Sequence, residues 1–483
     1  MIELFCLHIY LCILLDGLSV RENREAIFKE SSNIKYHIIM CKTINLNFVN
    51  ENDVNLLQFC WKHWLAANDN RLTTDGREVE VTDPGLHNRH SDAPDFFNAK
   101  VKINGTLWVG NVVVTDKASN WYVRGMDKNK AYDNVVLVVA GVADTEILTS
   151  QGQHVAVMQA EVPQSVMERY KVLVSDEGQE LCHQRASENC SSLMIRAWQS
   201  ALQTERMEWQ MNEVRRRSIE CSGWDIAYFV TVARCFGMGV NGDLMERMAS
   251  SLPLSVLDHH ADDLFQLEAL FIGQAGLLKL EIIPEKFHKD LLMEGYFAKL
   301  LNEYLYLSHK YSLRPINGKL WEPMGSGRTA SLPVALSWLA NMYYQRKTSL
   351  QTMLGCKSAK AIHDLLRVSA TPYWQMHNQF GQTIKKCERE LTVERQNLIV
   401  INAVVPTLFA YGRAKAREDY CDLAFDLMEQ CKAERNEITK HWEQLGVRSM
   451  TAGDSQSLIQ LQREYCNKHQ CLRCRFGYEF LKK

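Results

Sequence analysis

The sequence predicts an α+β protein in which a mixed α/β sheet domain at residues 51–165 precedes a larger all-α domain at residues 166–460. Before Pro163 the apolar residues alternate or form short valine-rich runs, which is typical of strands. After Pro163 they recur every three or four residues over long stretches, which indicates amphipathic helices. A short cysteine-containing tail at residues 461–483 completes the predicted organisation.

The composition sets the broad class of the protein. The chain has 483 residues, of which 46% are hydrophobic and 23% are charged. This balance fits two or three globular domains and excludes extensive disorder. The formal net charge of -2 excludes a chain coated in basic charge, although one basic cleft would not show in the total. The 15 cysteines are scattered and odd in number, which predicts a reducing, cytoplasmic location.

Residues 1–50 are predicted to be an extension outside the first domain, and this extension need not be native. The apolar run from Leu4 to Leu15 contains His8 and stops at Asp16. It is shorter than the roughly 20 residues that a membrane span requires, so no membrane association is predicted. The alternatives for this segment are a signal or anchor, a packed or loose extension, and an overlong gene assignment.

The elements of the sheet domain follow one another in order. Leu56, Phe59 and Trp64 fall on one face of a predicted helix. The segment "REVEVTDPGLHN" is typical of a strand that breaks at its DPG turn. In "KVKINGTLWVGNVVVT", Asn104 and Gly105 tolerate positive φ at both central turn positions and predict a type I′ hairpin. "NVVLVVAGVAD" and "HVAVMQAEV" predict two further strands.

The all-α domain is predicted from long helical patterns joined by short linkers that contain Gly or Pro. No internal repeat and no P-loop, G-x-G-x-x-G, G-x-S-x-G or H-E-x-x-H signature occurs in the sequence. The predicted helices lie at residues 193–220, 224–236, 243–252, 260–281, 285–310, 333–346, 391–410 and 415–434.

Several motifs occur in the order found in one known family. The motifs are "LLQFCWKH", "TTDGREVEVTDPGLHN", "PDFFNAKVKINGTLWVGNV", "AYDNVVL", "SALQTERME", "DDLFQLEALFIGQAGLL", "INAVVPTLFAYG", "GDSQSLIQLQREYC" and "CLRCRFGYEFLK". On these motifs the chain resembles the bacterial domain of unknown function 2851 family over about residues 55–483. That family has no established activity, so the resemblance implies architecture rather than function.

The N-terminal domain of that family is similar to the PD-(D/E)XK phosphodiesterases, which have a restriction-endonuclease-like fold. This similarity implies an Asp at the end of one strand and a Glu-x-Lys, or a close variant, on the adjacent strand. Such carboxylates hold Mg²⁺, which neutralises developing phosphate charge and lowers the pKa of bound water. The similarity also implies nucleic acid as a partner.

The residues that would form this nuclease site are incomplete. Asp95 in "PDFF" matches the first acid of the family, whereas Val113 and Thr115 stand where relatives carry Glu and His. Two residues that are two positions apart on a strand point to the same face, so both changes remove ligands from one site. The resemblance therefore implies a nuclease-like domain that is catalytically impaired, a pseudoenzyme that retains nucleic-acid or protein binding.

Two alternatives remain open for the acidic residues of this domain. In the first, the protein is an active metal-dependent phosphodiesterase that binds Mg²⁺ through displaced ligands, and its site residues are Asp95, Glu80, Asp83, Asp116 and Lys117. In the second, Asp95 is a capping or turn residue, and Asp116 and Lys117 belong to a solvated loop.

The tail contains the most explicit metal-ligand spacing in the sequence. Three thiols and one imidazole occur within the nine residues of "CNKHQCLRC". Cys-x2-Cys is a common half-site for Zn²⁺, and cysteines at such spacings also hold iron–sulfur clusters. Alternatively, the cysteines are reduced and dock a terminal helix, or the protein is a non-enzymatic scaffold whose metal tail is structural. The predicted ligands are Cys466, His469, Cys471 and Cys474.

One basic run offers a further candidate contact for phosphate. Residues 215–217 are three consecutive arginines, flanked by Glu213 and Glu220. Consecutive residues of a helix point in different directions, so a solvated, salt-bridged face is predicted for this run.

Overall fold

The computed structural model describes residues 54–64, 71–88, 93–175, 177–237, 239–323 and 331–482. Within them the chain forms two compact units. The sheet unit contains the described residues up to Cys182 together with those from Cys471 onwards, and the helical unit runs from His183 to Gln470. The predicted α+β fold class is confirmed. The predicted N-terminal extension lies outside the described residues.

A seven-stranded sheet forms the centre of the sheet unit. Its strands are β1 (Val79–Asp83), β2 (Leu86–His87), β3 (Phe96–Ile103), β4 (Thr106–Lys117), β5 (Val135–Val142), β6 (Ile147–Leu148) and β7 (His154–Gln159). The strand order is β1-β3-β4-β5-β7-β6, and β2 pairs with β3. The neighbours β1, β3 and β4 are antiparallel, whereas β4, β5 and β7 are parallel.

Helices accompany this sheet at both ends of the chain. Numbered in chain order, those of the sheet unit are α1 (Val54–His63), α2 (Asn120–Val123), α3 (Gln164–Leu173) and the C-terminal α20 (Arg475–Lys482). Short 3-10 helices span Met126–Lys128, Lys130–Tyr132 and Cys471–Arg473.

The predicted hairpin is the connection between β3 and β4. Asn104 and Gly105 form its loop with φ of 50° and 78°, and Ile103 pairs with Thr106 across it. Positive φ at both central positions is the backbone of a type I′ turn, so the hairpin prediction is confirmed.

Two separate apolar clusters cover the faces of the sheet. On one face, Val112 and Val114 of β4 pack in a cluster with Trp61 of α1. On the other face, Val113 packs in a cluster with Trp121 of α2. Strand β5 contributes side chains to both clusters, which explains its almost continuously apolar sequence.

Helices make up most of the second unit. They are α5 (Ser192–Glu220), α6 (Trp224–Cys235), α7 (Gly242–Ser250), α8 (Leu254–His259), α9 (Leu264–Gln274), α10 (His288–Glu294), α11 (Tyr296–Tyr311), α12 (Leu332–Tyr344), α13 (Leu350–Gly355), α14 (Ala359–Leu366), α15 (Val393–Ile399), α16 (Val405–Lys415), α17 (Glu418–Gln430), α18 (Glu437–Gln444) and α19 (Ala452–Gln460). The helix α4 (Gly178–Asn189) spans the division between the units. Short 3-10 helices span Leu280–Ile282, Glu285–Phe287, Gly318–Leu320 and Tyr373–Gln375.

The core of the helical unit is one large apolar cluster, to which the fully buried Phe229, Phe271 and Trp338 belong. A small feature differs from the predicted all-α domain. Strands β8 (His377–Gln379) and β9 (Gln382–Thr383) form a two-stranded antiparallel sheet. Its loop contains Gly381 at φ 70°, and so short a pair of strands carries no periodic sequence signal.

Two segments of this unit have π-helical backbone. Val400–Val404 continues α15 into α16, and Leu461–Cys466 continues α19. Pro406 explains the first, because proline lacks an N–H donor and its ring clashes with the carbonyl four residues earlier, at Asn402. Shifting the hydrogen bonds to the i→i+5 pattern relieves that clash.

One helix of the described residues, Val393–Lys415, is long and apolar enough to cross a membrane. More than half of its apolar window is buried by the rest of the protein, as is usual for the core helix of a soluble protein. The helix is therefore weak evidence for a membrane span and is compatible with a soluble protein.

Candidate functional site

Asp95 lies immediately before β3, beside the second half of β4. Because Phe96 pairs with Val112, the Asp95 side chain reaches the backbone two residues further along β4. Its Oδ2 accepts a hydrogen bond from the Val114 N–H at 2.8 Å, and its Oδ1 accepts one from the Gln58 amide of α1 at 2.9 Å. Both carboxylate oxygens are therefore used to join the end of β3 to β4 and α1.

Burial raises the pKa of Asp95 above its ordinary value of 3.8, although these two hydrogen bonds and the charge of Arg124 act in the opposite direction. A raised carboxyl pKa means that burial disfavours the charged form more than the surrounding donors favour it. A bound cation would lower this pKa, because the positive charge favours the carboxylate.

The two positions that would complete the implied site hold no metal ligand. Val113 is 3% exposed and lies among apolar side chains. Thr115 is also buried, and its hydroxyl donates to the carbonyl oxygen of Lys117 at 3.1 Å. No carboxylate on β4 therefore faces Asp95 at the place where the resemblance implies a glutamate.

Glu80 lies far from Asp95 along the sheet. Its carboxylate forms a salt bridge with Lys102 on the neighbouring strand at 3.1 Å, and the two residues are cross-strand partners. Lys102 follows Asp95 by seven positions on β3, which is about 23 Å at 3.3 Å per residue. Glu80 thus forms a surface ion pair at the other end of β3.

Asp83 is also separated from Asp95. It pairs with Lys100, five positions beyond Asp95 on β3, or about 17 Å at 3.3 Å per residue. Its Oδ1 accepts a hydrogen bond from the Gly85 N–H at 3.0 Å, which is the side-chain contact of an Asx turn. The structure brings neither Glu80 nor Asp83 to Asp95.

Asp116 and Lys117 lie at the carboxyl end of β4. The Asp116 Oδ1 accepts hydrogen bonds from the Asn120 amide and from the Thr115 hydroxyl, the latter at 3.3 Å. Lys117 is the last residue of the strand and pairs with Val142 of β5. Asp116 thus organises the turn into α2, and both residues belong to a strand end rather than to the predicted loop.

Among residues 54–482 as far as they are described, no three or more His, Cys, Asp or Glu side chains are grouped so as to hold a metal ion. This applies to the surroundings of Asp95 and also to the cysteines of the tail. The prediction of Zn²⁺ or an iron–sulfur cluster therefore rests on sequence spacing.

The helical unit gives Cys466 a neighbour that the sequence did not reveal. The Cys466 Sγ lies 3.3 Å from Nε2 of His183, and Nδ1 of the same imidazole lies 3.1 Å from Nε2 of His441. His183 is 2% exposed, and burial lowers its pKa to about 4. His183 and Cys466 are 283 positions apart, so no local pattern could connect them.

The other predicted ligands are divided between the units. His469 is exposed and has a left-handed backbone with φ 50° in the helical unit. Cys471 and Cys474 belong to the sheet unit, where the Cys474 N–H donates to the Cys471 carbonyl oxygen at 3.1 Å. Burial raises the pKa of Cys471, so desolvation favours its thiol over the thiolate that binds metal.

Comparison with known families identifies the family of the chain. Residues 54–437, well over half of the chain, match the family described as "Protein of unknown function (DUF2851)". The chain belongs to this family. No curated protein and no solved structure matches it. The DUF2851 match ends before the cysteine motif of the tail, which the sequence resemblance included.

In this DUF2851 protein the arginine run of α5 differs partly from its prediction. Arg216 lies in the expected network of salt bridges, with Glu213 at 2.9 Å and Glu220 at 2.5 Å. Arg217 is only 5% exposed and forms a salt bridge with Glu246 of α7 at 2.8 Å. The expectation of a solvated face is wrong for Arg217, because its side chain is buried and paired with Glu246 of α7.

Proposed function

We propose that the sheet domain is a nuclease-like domain that no longer hydrolyses phosphodiesters and that the protein retains nucleic-acid binding. The observation that carries this proposal is the state of Asp95, whose carboxylate oxygens accept hydrogen bonds from Val114 and Gln58 while Val113 supplies no second carboxylate. Hydrolysis assisted by a divalent cation needs oxygen ligands that converge on the ion.

The strand arrangement supports the proposed relationship to nucleases. An acid precedes one strand of a hairpin, and the second strand of that hairpin, β4, runs parallel to β5. This is the placement that the resemblance implies for the first acid and for the Glu-x-Lys strand. A glutamate at position 113 would lie in an apolar cluster, and a buried charge without a bound cation is costly. Valine at this position is compatible with a stable fold.

The tip of the β3–β4 hairpin offers a surface for nucleic acid. Leu107, Trp108 and Val109 are all exposed, and Trp108 is exposed by 47%. Leu107 and Val109 pair with Lys102 and Lys100, and these four residues lie on the face of the hairpin opposite to Trp108, which pairs with Val101. Aromatic rings stack on unpaired bases, so the exposed Trp108 suits a single strand.

Binding and cleavage should be measured separately. Fluorescence anisotropy with labelled single-stranded DNA and RNA at low salt is expected to show binding that weakens as salt rises. Trp108→Ala is expected to weaken binding at least fivefold, since stacking contributes about 1–3 kcal/mol per base. Tyr306→Ala is the matched control, because Tyr306 is an exposed aromatic residue of the helical unit.

Two results would contradict this proposal. The absence of binding at low salt would remove the nucleic-acid role. Cleavage that requires Mg²⁺ or Mn²⁺ and disappears in Asp95→Asn would instead establish an active enzyme.

We also propose a structural Zn²⁺ for the tail. The Cys-x2-Cys spacing of Cys471 and Cys474 supports it. Elemental analysis of protein purified anaerobically under reducing conditions is expected to give about one zinc per chain. If such protein contains neither zinc nor iron, the metal site is refuted. If it contains iron together with sulfide, the bound group is an iron–sulfur cluster rather than zinc.

A further inference from the structure

The helical unit contains a cavity of about 780 Å³. It lies against α5, α6 and α7, and both π-helical segments contribute to its wall. Cavities of roughly 300–1,000 Å³ are typical of small-molecule sites. Seven arginines and four acidic side chains line it, so its lining is basic although the whole chain is slightly acidic.

One side of the cavity is neutralised by its own carboxylates. Glu246 accepts hydrogen bonds from Arg216 at 2.9 Å, from Arg217 at 2.8 Å and from Arg234 at 2.8 Å. Burial alone would raise the pKa of Glu246, but hydrogen bonds from Arg217 and Arg216 lower it to about 2. This side is an ion-pair network around the largely buried carboxylate of Glu246, with Arg216 and Arg234 partly exposed. Within the described part of the chain the Nε of Arg217 has no hydrogen-bond partner, although its side chain is only 6% exposed.

The other side of the cavity holds guanidinium groups without a carboxylate partner. Arg206 is 7% exposed, and its Nε donates to the neutral Gln456 at 3.2 Å. Burial and then the nearby charge of Arg463 lower the pKa of Arg206 to about 10, while the more weakly acting charges of Glu434 and Glu464 raise it. Among the described residues, neither Arg206 nor Arg463 has a carboxylate oxygen within 4.0 Å of its guanidinium nitrogens.

Glu434 and Glu464 act on the charge of the buried Arg206, but neither contacts its guanidinium, so an anion that binds the group directly offsets part of its desolvation cost. Arginine is well suited to phosphate, because its planar donors form paired hydrogen bonds with two oxygens. The two like charges of Arg206 and Arg463 on one wall fit a ligand group with more than one negative charge.

An aromatic ring completes the same wall. Trp209 lines the cavity and is exposed by 49%, and the Arg206 guanidinium lies 4.9 Å from its ring centroid. An exposed indole beside a phosphate site can stack on a flat ring, as aromatic side chains do with nucleobases.

The π-helical backbone bears directly on this wall. Asn402 and Arg463 belong to the two π segments, and both line the cavity. The Asn402 Oδ1 accepts a hydrogen bond from Gln210 at 3.2 Å, which fixes its orientation. Single π turns within α-helices occur frequently at functional sites, and here two of them meet at one cavity.

We propose that this cavity binds a phosphate-bearing small molecule of nucleotide size, with the phosphates at Arg206 and Arg463 and the base on Trp209. The site lies within the helical unit and does not depend on the proposed role of the sheet domain.

Calorimetric titration of the full chain tests this proposal with inorganic phosphate, pyrophosphate, ribose 5-phosphate, AMP and ATP as probes. At least one nucleotide is expected to bind with a micromolar Kd and at least tenfold more tightly than ribose 5-phosphate. Arg463→Gln and Arg206→Gln are each expected to weaken that nucleotide at least tenfold. Arg196→Gln is the matched control, because Arg196 is an exposed arginine of α5 outside the cavity lining, and a change below twofold is expected.

Arg463 is exposed, so its variant should remain folded, which a thermal melt verifies. Four outcomes would overturn the proposal. They are no binding of any probe at millimolar concentration, equal binding of ribose 5-phosphate and the nucleotides, equal binding of inorganic phosphate and the nucleotides, and nucleotide binding that is unchanged in both cavity variants.

Discussion

Asp95 is predicted to stabilise the junction of α1, β3 and β4 as an ionised hydrogen-bond acceptor rather than as a metal ligand. The decisive pair of substitutions is Asp95→Ala and Asp95→Asn. Alanine removes the acceptor of the Val114 N–H at 2.8 Å and of the Gln58 amide at 2.9 Å. Asparagine keeps an oxygen that accepts from the Val114 N–H. Its amide nitrogen can donate to the side-chain oxygen of Gln58 once the Gln58 amide has rotated.

The expected cost of Asp95→Ala follows from these two contacts. A hydrogen bond to a charged group contributes about 1.5–3 kcal/mol, and a buried donor left unpaired costs about 1–3 kcal/mol. Because Gln58 can turn towards solvent, the loss is expected to be about 2–4 kcal/mol in the free energy of unfolding. Asp95→Asn is expected to change it by less than about 1 kcal/mol.

The pKa of Asp95 determines in which direction the free energy of unfolding changes with pH. Burial raises the folded-state pKa of Asp95 above 3.8, so the protonated form is favoured more in the folded protein than in the unfolded chain. Its contribution to stability is complete below the unfolded pKa and decreases as pH rises through the folded pKa. Relative to the wild type, Asp95→Asn should therefore become more stable between acidic and neutral pH.

Urea unfolding at several pH values measures these free energies, and hydrogen exchange of the β4 peptides reports the Val114 amide itself. Faster exchange in β4 for Asp95→Ala, with little change for Asp95→Asn, is expected. Unchanged exchange in β4 together with an unchanged or higher stability of Asp95→Ala would refute the structural role. Such a result would be typical of a ligand residue kept at a cost to stability.

Three further predictions concern other parts of the molecule. Burial, and to a smaller extent the charges of nearby basic groups, lowers the pKa of His63 to about 4. The free energy of unfolding, measured with urea, should therefore decrease by at most about 3 kcal/mol as pH falls from about 6.5 to 4. His63→Leu should remove this pH dependence. Gly110→Ala should lower the free energy of unfolding by at least about 2 kcal/mol, because an added Cβ would lie 2.6 Å from the Asn134 carbonyl oxygen. An unchanged melting temperature would show that β4 can move away from this oxygen. Arg206→Met should raise the melting temperature of the ligand-free protein and should abolish the further increase that nucleotide causes. A lower melting temperature of this variant without ligand would assign Arg206 a purely structural role.

The sequence predicted those features that depend on neighbouring residues. The Asn104–Gly105 turn, the valine-rich strand β5 and the succession of helices are set by backbone preference and by short apolar periods. The periodic signals also separated the sheet-forming region from the helical region. Short elements such as β8 and β9 lack enough residues to show a period, and they were missed.

Side-chain convergence was predictable only in part. Asp95 and the replacement of the implied glutamate by Val113 could be identified, because the two positions are close in sequence and adjacent in one hairpin. The amide partner Gln58 lies 37 positions away from Asp95 and has no motif of its own. The arginine cavity draws on residues from Arg206 to Arg463, so it exists only after helices of the unit have packed together.

The π turn before Pro406 has a consequence for how the chain can vary in length. A π turn contains one residue more than the α turn that it replaces. Removing one residue from Val400–Val404 together with Pro406→Ala should leave a continuous α-helix in which α15 and α16 keep their present register, because the π turn already accommodates the extra residue within one turn. Relatives without this proline should therefore align with a one-residue gap here, and that gap would mark proteins in which the cavity wall around Asn402 is a regular α turn.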